Sequence, residues 1–210
     1  MEKNRQYIFE WLVGAVPALL AVIAWLQVRD VGSVLTVYAI FPLLGLIAFG
    51  LMWSHYINGA IARYRGVKQS LVQTMYMRLS MGIVLALLVL HPALLAYGLW
   101  RDGMGLPPTS YLNAYTGQLI MIILGMIALT IFIAFEFKRK FGERSWWRYV
   151  DYAQIFAMIA ILVHALQLGR ELTLGWYAAI WWLYGASLVA SFGYSWWYDS
   201  KYKTGGGNEE

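Results

Sequence analysis

The stretch Leu79–Trp100 reads LSMGIVLALLVLHPALLAYGLW: 22 residues without one Asp, Glu, Lys or Arg, and with a single histidine, His91. As a helix rising about 1.5 Å per residue it reaches ~30 Å, the thickness of a bilayer's hydrocarbon core. Arg78 precedes it and Arg101 follows it, so charge resumes where the hydrocarbon would end. The pattern recurs on both sides, at Ile8–Val28, Val34–Ala62, Gln118–Phe135, Tyr152–Leu168 and Leu174–Trp196. The expected fold is all-α: a polytopic six-helix transmembrane bundle, one domain over 1–203, with a disordered tail over 204–210 that carries no function. The chain is 60% hydrophobic and 13% charged, a balance that would leave a soluble domain with large exposed apolar patches. Pro17, Pro42 and Pro92 fall inside spans, where a kink is tolerated. The basic start MEKNRQ leads into a long apolar run without a small-residue cleavage site, so it reads as a retained helix and not a signal peptide.

Charge gives the spans a direction. Thirteen of the 16 Lys and Arg residues fall on one side (Lys3, Arg5, Arg63, Arg65, Lys68, Arg78, Lys138, Arg139, Lys140, Arg144, Arg148, Lys201, Lys203) and three on the other (Arg29, Arg101, Arg170). An excess of Lys and Arg marks the cytoplasmic side, so both termini are expected there, in the cytoplasmic (inner) membrane. The net charge of +5 then reflects topology and contact with anionic lipid heads, and no nucleic-acid partner is expected. Trp100, Trp146, Trp147, Trp176, Trp196 and Trp197 sit near span ends, as an interfacial aromatic belt would.

Several function classes fall away. No cysteine is present, which removes disulfides, thiolate metal sites, iron–sulfur ligation and c-type haem attachment. No span contains Lys, which argues against a retinal Schiff base, and there is neither a GxGxxG nor a Walker motif. Ionisable groups inside a bilayer are costly and therefore informative. Five stand out: Glu10, His55, His91, Asp151 and His164. His91 and His164 lie 13 residues beyond Arg78 and Asp151, the basic-side starts of the third and fifth helices. Both therefore sit ~20 Å from the cytoplasmic end. Two imidazoles at one depth on parallel helices suit bis-histidine ligation of a b-type haem. Two unrelated interhelical polar contacts fit the same spacing.

The segments around these residues carry a resemblance. Arg78-Leu-Ser-Met-Gly82 leads to His91, Lys140-Phe-Gly142-Glu-Arg144-Ser-Trp-Trp147 leads through Asp151 to His164, and Ile57-Asn58-Gly59-Ala60-Ile61-Ala62-Arg63 ends the second helix. Together they resemble the ferric-reductase-like transmembrane domain, most of all its short bacterial branch, the haem-binding membrane subunit of the periplasmic methionine-sulfoxide reductase system. The resemblance covers helices 2 to 5 and implies haem b, one or two, with His91 and His164 as axial ligands to the iron. Two features depart from the family. Asp151 stands where the family has a histidine, and the Thr-Pro at the end of helix 2 is missing. An inner haem site of the family's kind is therefore not expected intact.

A second relay is still needed, since ~20 Å of membrane would separate the haem from the cytoplasm. His55, Arg78 and Asp151 are the expected inner cluster, for a quinone, FMN or a second haem; for His55 an interhelical hydrogen bond near the interface is the other reading. Asp151 is expected to pair with Arg78, Arg148 or His55. Glu10 is expected to be solvated; Arg101, Asp102, Arg170 and Glu171, at the outer helix ends, are expected to meet water, with Arg101 and Arg170 as candidate propionate contacts. The function so implied is electron transfer from a quinol or cytoplasmic flavin reductase to an outer acceptor, a protein or small molecule. The alternative is a non-catalytic subunit that anchors or assembles a larger complex, with the Pro107-Pro108 loop as a docking surface.

Overall fold

The computed structural model of the chain describes residues 2–29, 34–66, 75–141 and 148–202. They form seven α-helices: α1 (Glu2–Val28), α2 (Val37–Tyr64), α3 (Met75–Arg101), α4 (Thr109–Ala114), α5 (Leu119–Phe141), α6 (Arg148–Leu168) and α7 (Gly175–Tyr202). Single 3₁₀ turns at Thr116–Gln118 and Arg170–Thr173 join α4 to α5 and α6 to α7. Five stretches are long and apolar enough to cross a membrane, Ile8–Val28, Val37–Tyr64, Met75–Arg101, Thr116–Lys138 and Tyr149–Leu168, which makes this a multi-pass membrane protein. The expected sixth, α7, has the length but not the hydropathy. Five tryptophans and five tyrosines, whose indole N–H and phenol groups lower any transfer score, take the place of aliphatic residues.

The helices run further than hydropathy alone places them. α3 begins at Met75, four residues before the expected start, and so takes in Tyr76. That ring is buried against α1, where Gly14 lacks the Cβ that would overlap its hydroxyl. Ser54 Oγ lies 2.5 Å from the Tyr76 hydroxyl and donates to Leu51 O at 2.6 Å, so Tyr76 donates to Ser54. α2 starts three residues later than expected because Thr36 caps it, its side-chain oxygen accepting from Ala39 N at 3.3 Å. Glu10 is not solvated: it is 3% exposed. α1 extends back to Glu2, so Glu10 lies in its third turn, where α2 and α3 cover it. The tail over 204–210 and the 142–147 part of the Lys140–Trp147 segment lie outside the described residues.

α2 is the central helix, packed by α1, α3 and α7, while α5 and α6 form a second close pair. The two groups meet chiefly through α6 on α7 and α2. Phe49 of α2 stacks on Trp181 of α7 with ring centroids 4.4 Å apart, a contact worth about 0.5–1.5 kcal/mol beyond the buried area. Trp53 Nε1 donates to Ser187 Oγ across the same seam at 2.9 Å. Large apolar side chains such as Ile120, Phe156, Trp182 and Leu183 point away from the bundle, as a lipid-facing surface requires.

The expected Pro107-Pro108 loop is partly folded. Its α4 buries Ser110 and Tyr111, and Tyr111 donates to Pro92 O at 3.2 Å, which closes one end of the space between α3 and α5.

Candidate functional site

His91 of α3 faces α2, and its Nδ1 lies 2.6 Å from the carbonyl of Phe41. Helical carbonyls are normally shielded by the side chain one turn on. Here that residue is Gly45, and the imidazole occupies the vacant volume: a Cβ at position 45 would stand 2.9 Å from His91 Cε1. His164 of α6 repeats the construction on α5. Its Nδ1 lies 2.7 Å from Met121 O, and a Cβ at Gly125 would stand 2.9 Å from His164 Cε1. A carbonyl only accepts, so in both rings Nδ1 carries the proton and, in the neutral imidazole, Nε2 keeps a bare lone pair. A hydrogen bond from the far ring nitrogen to a carbonyl is what fixes tautomer and orientation in metal-ligating histidines.

The two rings line one space. A cleft of about 90 Å³ opens on the side of Met126, Leu129 and Tyr111. A second, of about 140 Å³, opens on the side of Phe41, Gly45 and Trp181. Both are lined by His91 and His164, so the two rings border the same empty region between the helices. A flat macrocycle held between two axial ligands needs that placement. Among the described residues no three of His, Cys, Asp and Glu converge. Two imidazoles suit a group that brings its own four nitrogens. The clefts are smaller than the ~300–1,000 Å³ of a usual cofactor pocket, and little direct packing joins α3 to α6. The donor set, two neutral imidazoles in an apolar lining, is of the kind that suits a haem, while the volume of either cleft is below what one occupies.

At the charged rim Arg101, Asp102 and Arg170 meet water, and Glu171 does not. Arg101 Nε donates to Asp102 Oδ1 at 2.9 Å on the exposed surface, and Tyr38 donates to Asp102 Oδ2 at 2.8 Å. Arg170 is exposed as well. Neither arginine lines the clefts. The charged residue that does is Glu171, 4% exposed, in the 3₁₀ turn after α6.

A larger cavity, about 650 Å³, lies toward the end of the bundle that carries Arg63, Arg65, Arg78 and Lys138. Its polar lining is His55, Tyr56, Arg63, Glu136, Gln154 and Ser195. Ser80 Oγ donates to Tyr76 O at 2.7 Å and so accepts from His55 Nε2, also 2.7 Å away. His55 therefore holds its proton on Nε2 and keeps Nδ1 as an acceptor. Tyr56 donates to Gln154 Oε1 at 3.2 Å, which orients the amide and leaves its NH₂ free to donate; Arg63 donates to Ser195 Oγ at 2.8 Å. Met52, Leu88 and Phe132 line both this cavity and the histidine clefts, and are the partition between them.

The structure keeps His55 in this inner cluster and removes its two expected companions. Arg78 is exposed and lines no cavity named here. Asp151 is half-exposed and paired with Lys138, not with Arg78 or His55, and the Arg148 side chain lies outside the described residues. The cause is the length of α5. It continues past Phe135 to Phe141 and brings Lys138 level with Asp151 on α6. Sequence reasoning missed Gly45, Gly125, Tyr56, Arg63 and Gln154, and placed Glu171 at the outer helix ends without its burial. For the glycines a signal existed, since each sits in an apolar helix where glycine costs about 1 kcal/mol. No protein-family model, curated protein or solved structure matches the chain.

Proposed function

We propose that this protein is a cytochrome of the cytoplasmic membrane. It has six spans with both termini inside, holds one b-type haem between His91 and His164, and passes electrons from a quinol or a cytoplasmic flavin reductase to an acceptor on the outer side. The observation that carries the reading is the repeated construction at one cavity: a histidine, its Nδ1 tied to a helix carbonyl, its ring seated on a glycine, its Nε2 bare. Bound there, a haem supplies a one-electron couple with no open coordination position. The resemblance to the ferric-reductase-like domain points the same way.

The chain's own residues support each part. Phe41 and Met121 orient the two rings and raise their basicity through the Nδ1–H bonds. At the basic end, His55 Nδ1 can accept a hydroxyl proton while Gln154 and Arg63 offer donors to a carbonyl oxygen, the pairing that a quinol and its quinone need. Leu88, Phe132 and Met52 keep water out between the two sites. The distribution of Lys and Arg gives the orientation. α7 serves as the sixth span, with Trp182, Leu183 and Val189 toward lipid and Lys201 over the Trp197 ring, 5.2 Å from its centroid, at the interface.

Reduced-minus-oxidised spectra of the purified protein test the reading. The expected result is a sharp low-spin α-band, lost in His91→Ala and in His164→Ala. A folded wild-type protein that takes up no haem overturns it in favour of a non-catalytic anchor subunit.

A further inference from the structure

Glu171 is a buried acid with no role in the scheme above. It is 4% exposed, lines the 140 Å³ cleft with both histidines and Trp181, and its Oε2 has no hydrogen-bond partner. Its neighbour Arg170 reaches solvent at the same turn. A buried carboxyl group that lines the cleft, has one oxygen without a hydrogen-bond partner and lies next to a solvent-exposed residue is well placed to exchange a proton.

We propose that Glu171 takes up a proton from the adjacent aqueous face when the site between His91 and His164 gains an electron, and releases it when that electron leaves. The inference rests on the cytochrome reading. An electron added in a cavity of low dielectric repels a nearby carboxylate, and protonation of Glu171 cancels the added charge. The balance is one electron in and one proton bound, then one electron out and one proton freed. No bond other than the carboxyl O–H forms or breaks.

Burial holds the Glu171 carboxyl above the ordinary carboxylate range, against the opposing pull of its own backbone N–H and of Arg170. The other titratable groups around it are Tyr177 of α7, Tyr115 at the start of the Thr116–Gln118 turn, and the two histidines. α1, which also packs on the turn, brings Arg29 just past its end. Arg170 and Arg29 are permanent cations and Tyr177 and Tyr115 are neutral phenols near neutrality, so Glu171 is the acid in this set able to exchange a proton there.

Redox titration between pH 5 and 9, followed at the α-band, tests this in wild type, Glu171→Gln and Glu171→Asp. In wild type the potential should fall with pH by up to about 59 mV for each tenfold drop in proton concentration. Glu171→Gln should flatten that slope, and Glu171→Asp, which keeps the acid, should retain it. The reduced-minus-oxidised infrared spectrum should show a protonated-carboxyl band that Glu171→Gln removes. Wild type and Glu171→Gln with the same slope and the same infrared spectrum overturn the proposal and leave the cytochrome reading intact. A wild-type protein with no α-band overturns the cytochrome reading, and this proposal with it.

Discussion

Two sites in one bundle use histidine in opposite ways. At the clefts between α3 and α6, His91 and His164 are tied through Nδ1 and present Nε2. At the basic-end cavity, His55 is tied through Nε2 and presents Nδ1. The first site is narrow and built twice over, with a carbonyl and a glycine behind each ring. The second is several times larger, with one histidine among an amide, a guanidinium and a carboxylate. Two rings locked in place beside one slot suit a resident group. A roomy pocket with mixed donors and acceptors suits a molecule that comes and goes. On the proposed reading, the backbone carbonyl behind each imidazole separates a ligand from a passing contact more sharply than the histidine itself does.

The strongest way to break the comparison is to refill the glycine seats. Gly45→Val and Gly125→Val place branched side chains where the imidazoles lie. Each should cost about 1–3 kcal/mol in stability through overpacking and cut haem retention at least tenfold, measured by α-band absorbance per protein. Gly82→Ala is the control: a Cβ there meets nothing within 4 Å, so it should leave the band intact and raise stability by up to about 1 kcal/mol. Next in size, His55→Ala should leave the haem spectrum unchanged yet slow quinol-driven haem reduction about tenfold in stopped-flow; unchanged kinetics would dissolve the distinction between the two sites. Tyr76→Phe, which deletes the bond to Ser54, should lower the thermal midpoint by an amount equivalent to about 1 kcal/mol.

Smaller effects follow from charge. Glu171 binds its proton more tightly folded than unfolded, so it adds stability below about pH 4 that is lost as pH rises through its raised folded value. Unfolding scans should show Glu171→Gln gaining on wild type as pH increases. Asp102 is the reverse case: the bonds from Arg101 and Tyr38 hold its carboxyl below the usual range. Its contribution is present above about pH 4 and lost on acidification. Because the group is fully solvated, Asp102→Asn should shift the midpoint least of all these variants, and only above that pH.

Hydropathy made most of this bundle legible. Five of the expected spans appear with their middles in place, and His91 and His164 do meet at one cavity, because parallel helices with equal offsets must bring them level. α7 was legible by length and not by hydropathy, since its aromatic residues are scored as half-polar. The errors share one origin, in the helix ends. α5 ran on to Lys138 and took Asp151 away from the inner cluster; α1 ran back to Glu2 and buried Glu10. Helix termini depend on capping and on side chains from other helices, which a single apolar run does not record. Tyr56, Arg63 and Gln154 were hidden for a related reason: they come together only through the rotation of α2 against α6 and α7, which no periodicity in one helix reports.

The weak packing between α3 and α6 has a consequence for assembly. The pair α2–α3 and the pair α5–α6 can each insert and fold as a hairpin, and what would lock one to the other across the slot is whatever joins His91 to His164. A bound group there acts as a rivet, and binding linkage adds about 4 kcal/mol of stability when the ligand stands at a thousandfold its dissociation constant. Cells starved of that group would accumulate a bundle open along one seam, accessible to lipid and to membrane proteases, so that the supply of the cofactor would set the lifetime of the protein.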